Sequence, residues 1–203
     1  MSNRTYKCIL LLIFFIFFTW SAINPRDYFT WFLEVVPAII GLVILVVVSK
    51  KFELTRMLYF LLLIEAIILI IGGHYTYAEM PLFNWLKDVL DLDRNYYDRL
   101  GHLAQGFVPA IIAREVLIRK QVLQPGMWLY FIIICICLAF SAFYEFIEWW
   151  VAVVSGTAAE AFLGTQGDVW DTQWDMFMAF IGANLGLILL SRLHDKYLAN
   201  FKK

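Results

Sequence analysis

Six long apolar runs constrain this chain more than any other feature. They extend roughly from Cys8 to Ile23, Trp31 to Ser49, Met57 to Tyr77, Leu100 to Ile118, Trp128 to Val154 and Trp174 to Leu193. An α-helix rises 1.5 Å per residue, so about 20 apolar residues cross the roughly 30 Å hydrocarbon core of a bilayer. Composition agrees: 62% of the residues are hydrophobic and 16% are charged, against about 25% charged in a soluble domain. The expected fold is all-α, a single integral membrane domain built as a bundle of about six transmembrane helices. The net charge of −1 gives no case for nucleic acid, so the expected surroundings are membrane lipids. Spacing does not encode the oligomeric state.

Lys and Arg set the orientation. With the N-terminus inside, the inner segments hold Arg4, Lys7, Lys50, Lys51, Arg56, Arg114, Arg119, Lys120, Arg192, Lys196, Lys202 and Lys203, and the outer ones only Arg26, Lys87, Arg94 and Arg99. Both termini are therefore expected in the cytoplasm. Arg4 and Lys7 before a short apolar core also fit a signal sequence, but no A-x-A site follows Trp20, and a retained helix is expected. The acids collect on the other side: Asp27, Glu79, Asp88, Asp91, Asp93, Asp98, Glu160, Asp168, Asp171 and Asp175 fall outside or at outer helix ends.

Within Pro81–Leu92, Leu82, Trp85, Leu86 and Val89 recur at helical spacing behind a proline. That predicts a short helix lying on the outer leaflet. The segment from Thr157 to Trp174, with its G-T-Q-G-D run, reads as an ordered cap. Trp149, Trp150, Trp170 and Trp174 fit an interfacial aromatic belt. Val-Pro-Ala-Ile-Ile occurs twice, at 36–40 and 108–112, and either proline can kink its helix. Cys8, Cys135 and Cys137 have neither metal nor redox spacing and are expected to be buried small hydrophobes.

Ionisable groups inside a bilayer are costly and need a reason. Ser141, Glu145 and Glu148 follow an i, i+4, i+7 pattern near the outer end of the fifth span, with Tyr144 beside them. Asp98, His102 and Gln105 share one face of the fourth, His74 closes the third, and Asp168, Asp171 and Asp175 open the sixth. The outer ends of four helices thus bring polar groups to one depth. Two acids in one dry site do not both ionise cheaply, so either one keeps its proton or a cation offsets them. An oxygen-rich donor set with one imidazole favours a divalent ion such as Mg or Mn.

The candidate catalytic residues are Glu145, Glu148, His102 and Asp98. The candidate substrate-binding residues are His74, Tyr144, Gln105 and Asp168. The candidate metal ligands are Asp171, Asp175, Glu148 and His102. Each has a plainer reading. Asp168 and Asp98 can cap helices, Glu145 and Glu148 can hold helices together, and His74 can be a satisfied interfacial histidine. Glu65, midway along the third span, can pair with another helix or serve a proton path. Arg114 can snorkel.

The stretches G-G-H-Y-T-Y-A (72–78), Y-D-R-L-G-H (97–102), S-A-F-Y-E-F-I-E-W-W (141–150) and F-L-G-T-Q-G-D-V-W-D-T-Q-W-D-M-F (162–177) resemble the YjdF-like family of bacterial inner-membrane proteins. That resemblance implies location and no reaction. A fainter one is to VanZ-like proteins of the cell envelope, at Asp98, His102, Glu145, Asp175, Gly182 and Gly186. The chain departs from that pattern at Ala179, where an Asn is expected, and has no basic residue before Asp175.

Three functions stay open. The first is an envelope protein whose outward-facing acidic/His site, with a divalent ion, binds or acts on a lipid-linked or phosphate-bearing substrate. The second is a proton-coupled transporter, which the apolar inner halves of the last two spans disfavour. The third is a structural or regulatory membrane factor. No G-x-S-x-G, H-E-x-x-H or P-loop is present.

Overall fold

The computed structural model describes residues 2–156, 160–199 and 201, and of Glu160 and Ala161 the backbone alone. The expectations placed on Thr157, on the Glu160 side chain and on Lys202 and Lys203 lie outside the described residues. Among the described residues eight α-helices follow in order: α1 (Asn3–Ser21), α2 (Tyr28–Ser49), α3 (Arg56–Tyr75), α4 (Pro81–Leu90), α5 (Tyr97–Arg119), α6 (Met127–Ser155), α7 (Glu160–Leu163) and α8 (Asp171–Ala199), with a 3-10 helix at Tyr77–Glu79 between α3 and α4. There is no strand among the described residues.

Among the described residues five helices, α1, α2, α3, α6 and α8, are long and apolar enough to cross a membrane by themselves. The sixth expected span, α5, has the length but carries Asp98, Arg99, His102, Arg114, Glu115 and Arg119. It sits among α3, α6 and α8, and all of these side chains except Arg119 are buried. A charged helix is tolerated in a bilayer when protein rather than lipid surrounds it.

The tightest packing in the bundle joins α5 to α8, which run parallel. A Cβ at Gly106 would stand 1.9 Å from the Ala179 carbonyl oxygen, and one at Gly182 would stand 2.0 Å from that of Leu103. Small residues let two backbones approach where lipid gives no hydrophobic drive for helix association. The G-x-x-x-G of Gly182 and Gly186 is therefore a packing surface for α5.

At the basic end, Tyr6 Oη donates to the Arg56 carbonyl at 3.0 Å, Lys7 pairs with Glu53 at 3.0 Å, and the Arg119 guanidinium covers the rings of Phe52 and Phe201. The start of α1, the α2–α3 turn and the end of the described chain therefore share one end of the bundle. This is the end that the positive-inside rule assigns to the cytoplasm.

The expected interfacial helix is α4, with Pro81 in its first turn and Leu82, Trp85 and Val89 exposed. Trp149, Trp150, Trp170 and Trp174 are exposed as a belt requires. The cysteine expectation holds for Cys137 alone. Cys8 and Cys135 are exposed, because a helix in a bilayer can turn apolar residues outward to lipid.

Asp27 caps α2, accepting the Thr30 N–H at 2.6 Å. Hydrogen bonds from Thr30 hold its carboxyl below the ordinary 3.8. A depressed folded value means that the cap's stabilisation is complete above the ordinary carboxylate value and is lost as pH falls through the folded one. Asp27→Ala should cost about 1 kcal/mol at neutral pH. Thermal unfolding of both proteins against pH should show the difference closing as the solution is acidified below the carboxylate range.

Candidate functional site

The outer end of the bundle is closed by the G-T-Q-G-D run. Gly164, Gln166 and Gly167 all take positive φ, which folds the segment back over α5. The Gln166 amide then bonds both backbone groups of Asn95, accepting from its N–H and donating to its carbonyl, each at 2.9 Å. Asn95 in turn donates to Asn84 Oδ1 and to the Met80 carbonyl. The cap thus ties α4, α5 and the approach to α8 together.

Under it lies a buried ionic cluster. Arg94 and Arg99 both donate to Asp171 Oδ1, at 2.7 and 2.6 Å, and both reach Asp168 Oδ2 at 3.3 Å. Arg99 also bonds Asp175 and approaches Asp98 Oδ2 at 3.4 Å. Arg94 donates to the Gly164 carbonyl at 3.0 Å. Asp98 and Asp171 stand in the first turns of α5 and α8, whose parallel dipoles both present their positive ends here.

His102 sits one turn below. Its Nε2 is 3.5 Å from Asp98 Oδ1 and 3.6 Å from Asp175 Oδ1; its Nδ1 is 3.1 Å from Gln105 Oε1 and 3.9 Å from Glu145 Oε1. The Tyr144 ring meets the imidazole edge-on at 6.2 Å. Asp98, His102 and Asp175 each offer a ligand atom within 4.8 Å of the others, a two-oxygen, one-nitrogen set. The Glu145 Oε1 and Ser141 Oγ atoms are buried without a hydrogen bond.

The expected convergence is therefore present for Asp98, His102, Gln105, Tyr144, Glu145, Glu148, Asp168, Asp171 and Asp175. His74 stands apart: its Nδ1 lies 3.0 Å from the Ser21 carbonyl, and its ring lies against Trp20 at 4.4 Å. Neither Asp168 nor Asp98 is a helix cap. Asp168 Oδ1 accepts the Trp170 N–H at 2.9 Å ahead of α8, and Asp98 is the second residue of α5.

Sequence reasoning missed the two arginines, which it counted for orientation alone. Arg94 precedes α5, so no helical spacing marks it as a partner of Asp98 and His102. It also missed Glu34, which is fully buried in α2 beside Tyr77.

A second network closes the inner end. Glu115 accepts from Thr55 N (3.0 Å) and Oγ1 (2.8 Å) and from Arg119 (2.6 Å), and it lies 2.9 Å from His194 Nε2. Arg114 meets His194 at 3.0 Å and Asp195 at 2.7 Å. Arg114 is thus a buried partner rather than a snorkelling one.

Between α1–α3 and α5–α6 lies a cavity of about 480 Å³. It reaches from Lys7 and Ser49 past Glu65 to Tyr77, His102, Gln105, Tyr144 and Glu148. Most of its wall comes from α1, α2 and α3, and none of it from α8.

These features define a class: a multi-pass, all-helical membrane protein whose helix ends enclose a buried Asp–Arg–His cluster. A family model described as "Predicted membrane protein (DUF2238)" matches residues 6–196, and the chain belongs to that family. It is 44% identical over 203 residues to "Inner membrane protein YjdF" of Escherichia coli (strain K12), covering 98% of this chain and 97% of that protein. No solved structure matches it. The chain is an integral inner-membrane protein.

Proposed function

We propose that this is a cell-envelope protein whose outward-facing site holds a divalent ion and, with it, binds or acts on a lipid-linked or phosphate-bearing substrate. The observation that carries the reading is a charge mismatch. Asp98, Asp168, Asp171, Asp175, Glu145 and Glu148 meet Arg94, Arg99 and His102 in one largely buried cluster. Burying unpaired carboxylates is costly, and a divalent cation is an economical offset.

Asp98, His102 and Asp175 would hold the ion, in competition with Arg99 for Asp175. Glu145 and Glu148 would stand beside it as proton acceptors or donors. The ion would polarise a phosphoryl oxygen or activate water. Enzymatic turnover is the sharper form of the reading; binding alone is the weaker one.

The test is thermal unfolding after chelation, with Mg, Mn, Ca or Zn added back. An ion at 100 times its Kd stabilises by about 2.7 kcal/mol. A raised midpoint in wild type that is lost in Asp175→Asn is the expected result. No rise with any ion would refute the ion site.

A proton-coupled transporter is the second reading, supported by Glu65 in the wall of a cavity that reaches Lys7. In that case Glu65→Gln should abolish function while leaving the ion response intact.

A further inference from the structure

The cavity wall is mostly apolar, with Lys7 and Ser49 at its inner end, Glu65 midway and Tyr77, His102, Gln105, Tyr144 and Glu148 at its outer end. Its wall on α2 runs from Pro37 to Ser49, about 18 Å at 1.5 Å per residue. Gly41 faces it with open space, since a Cβ there meets no atom within 4 Å. At the outer end the Tyr77 hydroxyl is buried without a hydrogen-bond partner. Its position is built: a Cβ at Gly72 would stand 1.7 Å from the Tyr77 ring, so only glycine admits the ring there. Glu34 is the carboxylate beside that hydroxyl.

Pro109 has no N–H to give the Gln105 carbonyl, which leaves an acceptor open at the same depth. Both Val-Pro-Ala-Ile-Ile segments face this one cavity through their prolines, Pro37 on α2 and Pro109 on α5. The Gln105 oxygen lies 3.1 Å from His102 Nδ1, so its amide nitrogen remains for a ligand, as do the hydroxyls of Tyr77 and Tyr144.

We propose that the cavity binds a long-chain lipid monophosphate, with its single apolar chain along α2 and its phosphate among Tyr77, Gln105, His102 and Tyr144. The choice of phosphate rests on the ion-site reading above, because a neighbouring cation is needed to offset the repulsion from Glu148 and from Glu34 beside Tyr77. The chain-binding part rests on the shape and lining of the cavity alone. Lipid already surrounds the chain with apolar groups, so the apolar body selects it by shape while a few placed polar groups fix the head.

The test uses protein in phosphatidylcholine nanodiscs, with dodecyl phosphate, dodecanol and inorganic phosphate as probes and Mn present. Saturable binding of dodecyl phosphate is expected, with neither dodecanol nor inorganic phosphate matching it. Gly41→Leu fills the chain site without striking the backbone and should weaken binding at least about tenfold, while keeping the Mn-dependent rise in midpoint. Tyr77→Phe should weaken it to a lesser extent.

Unchanged dodecyl phosphate binding by Gly41→Leu would overturn the groove, as would equal binding of dodecanol. Gly41-sensitive binding with no Mn response in wild type would leave the groove standing and remove the ion reading.

Discussion

Arg99→Gln is expected to destabilise the protein by about 3–5 kcal/mol, the loss found when one partner of a buried ion pair is removed. Arg99 reaches Asp98, Asp168, Asp171 and Asp175 together. Arg94 still touches three of them in the variant, at 3.9 Å from Asp98, 3.3 Å from Asp168 and 2.7 Å from Asp171. Asp175 is left with His102 at 3.6 Å. Arg99→Lys should recover part of the loss, because an ammonium supplies charge but not the planar fork that serves several carboxylates at once. Equilibrium unfolding in nanodiscs checks this. A loss under about 1 kcal/mol, the range of exposed pairs, would mean that the cluster is solvated and would remove its claim to be a dry site.

Gly106→Val should be comparably severe through a different cause. The first atom of the new side chain would stand 1.9 Å from a backbone oxygen of α8, and neither backbone can yield without parting the helices. Overpacking costs about 1–3 kcal/mol where side chains can adjust, and more where they cannot. Parting α5 from α8 also strains both ionic networks, since Arg99 meets Asp171 above the contact and Arg114 meets His194 below it. The expected order of damage is Gly106 and Gly182 first, then Gly186, where the approach is 2.7 Å, with Gly41 and Gly126 harmless. Thermal midpoints of alanine variants at the five positions give this order directly. Equal tolerance at Gly106 and Gly41 would contradict the packing described.

Much of the architecture was legible because the bilayer imposes simple rules on sequence. The apolar runs gave the spans, Pro81 and the spacing behind it gave α4, and the i, i+4 placement of Asp98 with His102 and of Asp171 with Asp175 gave the outer site. What stayed hidden depends on which helices are neighbours. Glu115 and His194 are 79 residues apart, and no spacing announces that they meet. Arg94 and Arg99 were visible as outer charges, but their role follows only from the parallel pairing of α5 with α8. The cavity is invisible in the sequence for the same reason: its walls come from helices whose order around the bundle is set by tertiary packing. His74 looked like a site residue because it ends a span at the right depth, yet its ring packs on Trp20 instead.

The most direct test of the proposed ion site is to titrate Mn(II) into the purified, chelator-treated protein and follow it by electron paramagnetic resonance. Asp98, His102 and Asp175 bring two carboxylates and one imidazole within reach of a single ion. The expected result is one bound Mn per chain with nitrogen coupling from an imidazole, and both should disappear in His102→Gln while the variant stays folded. A spectrum of free Mn throughout the titration, or bound Mn that His102→Gln leaves unchanged, would contradict a metal site at the outer end of the bundle.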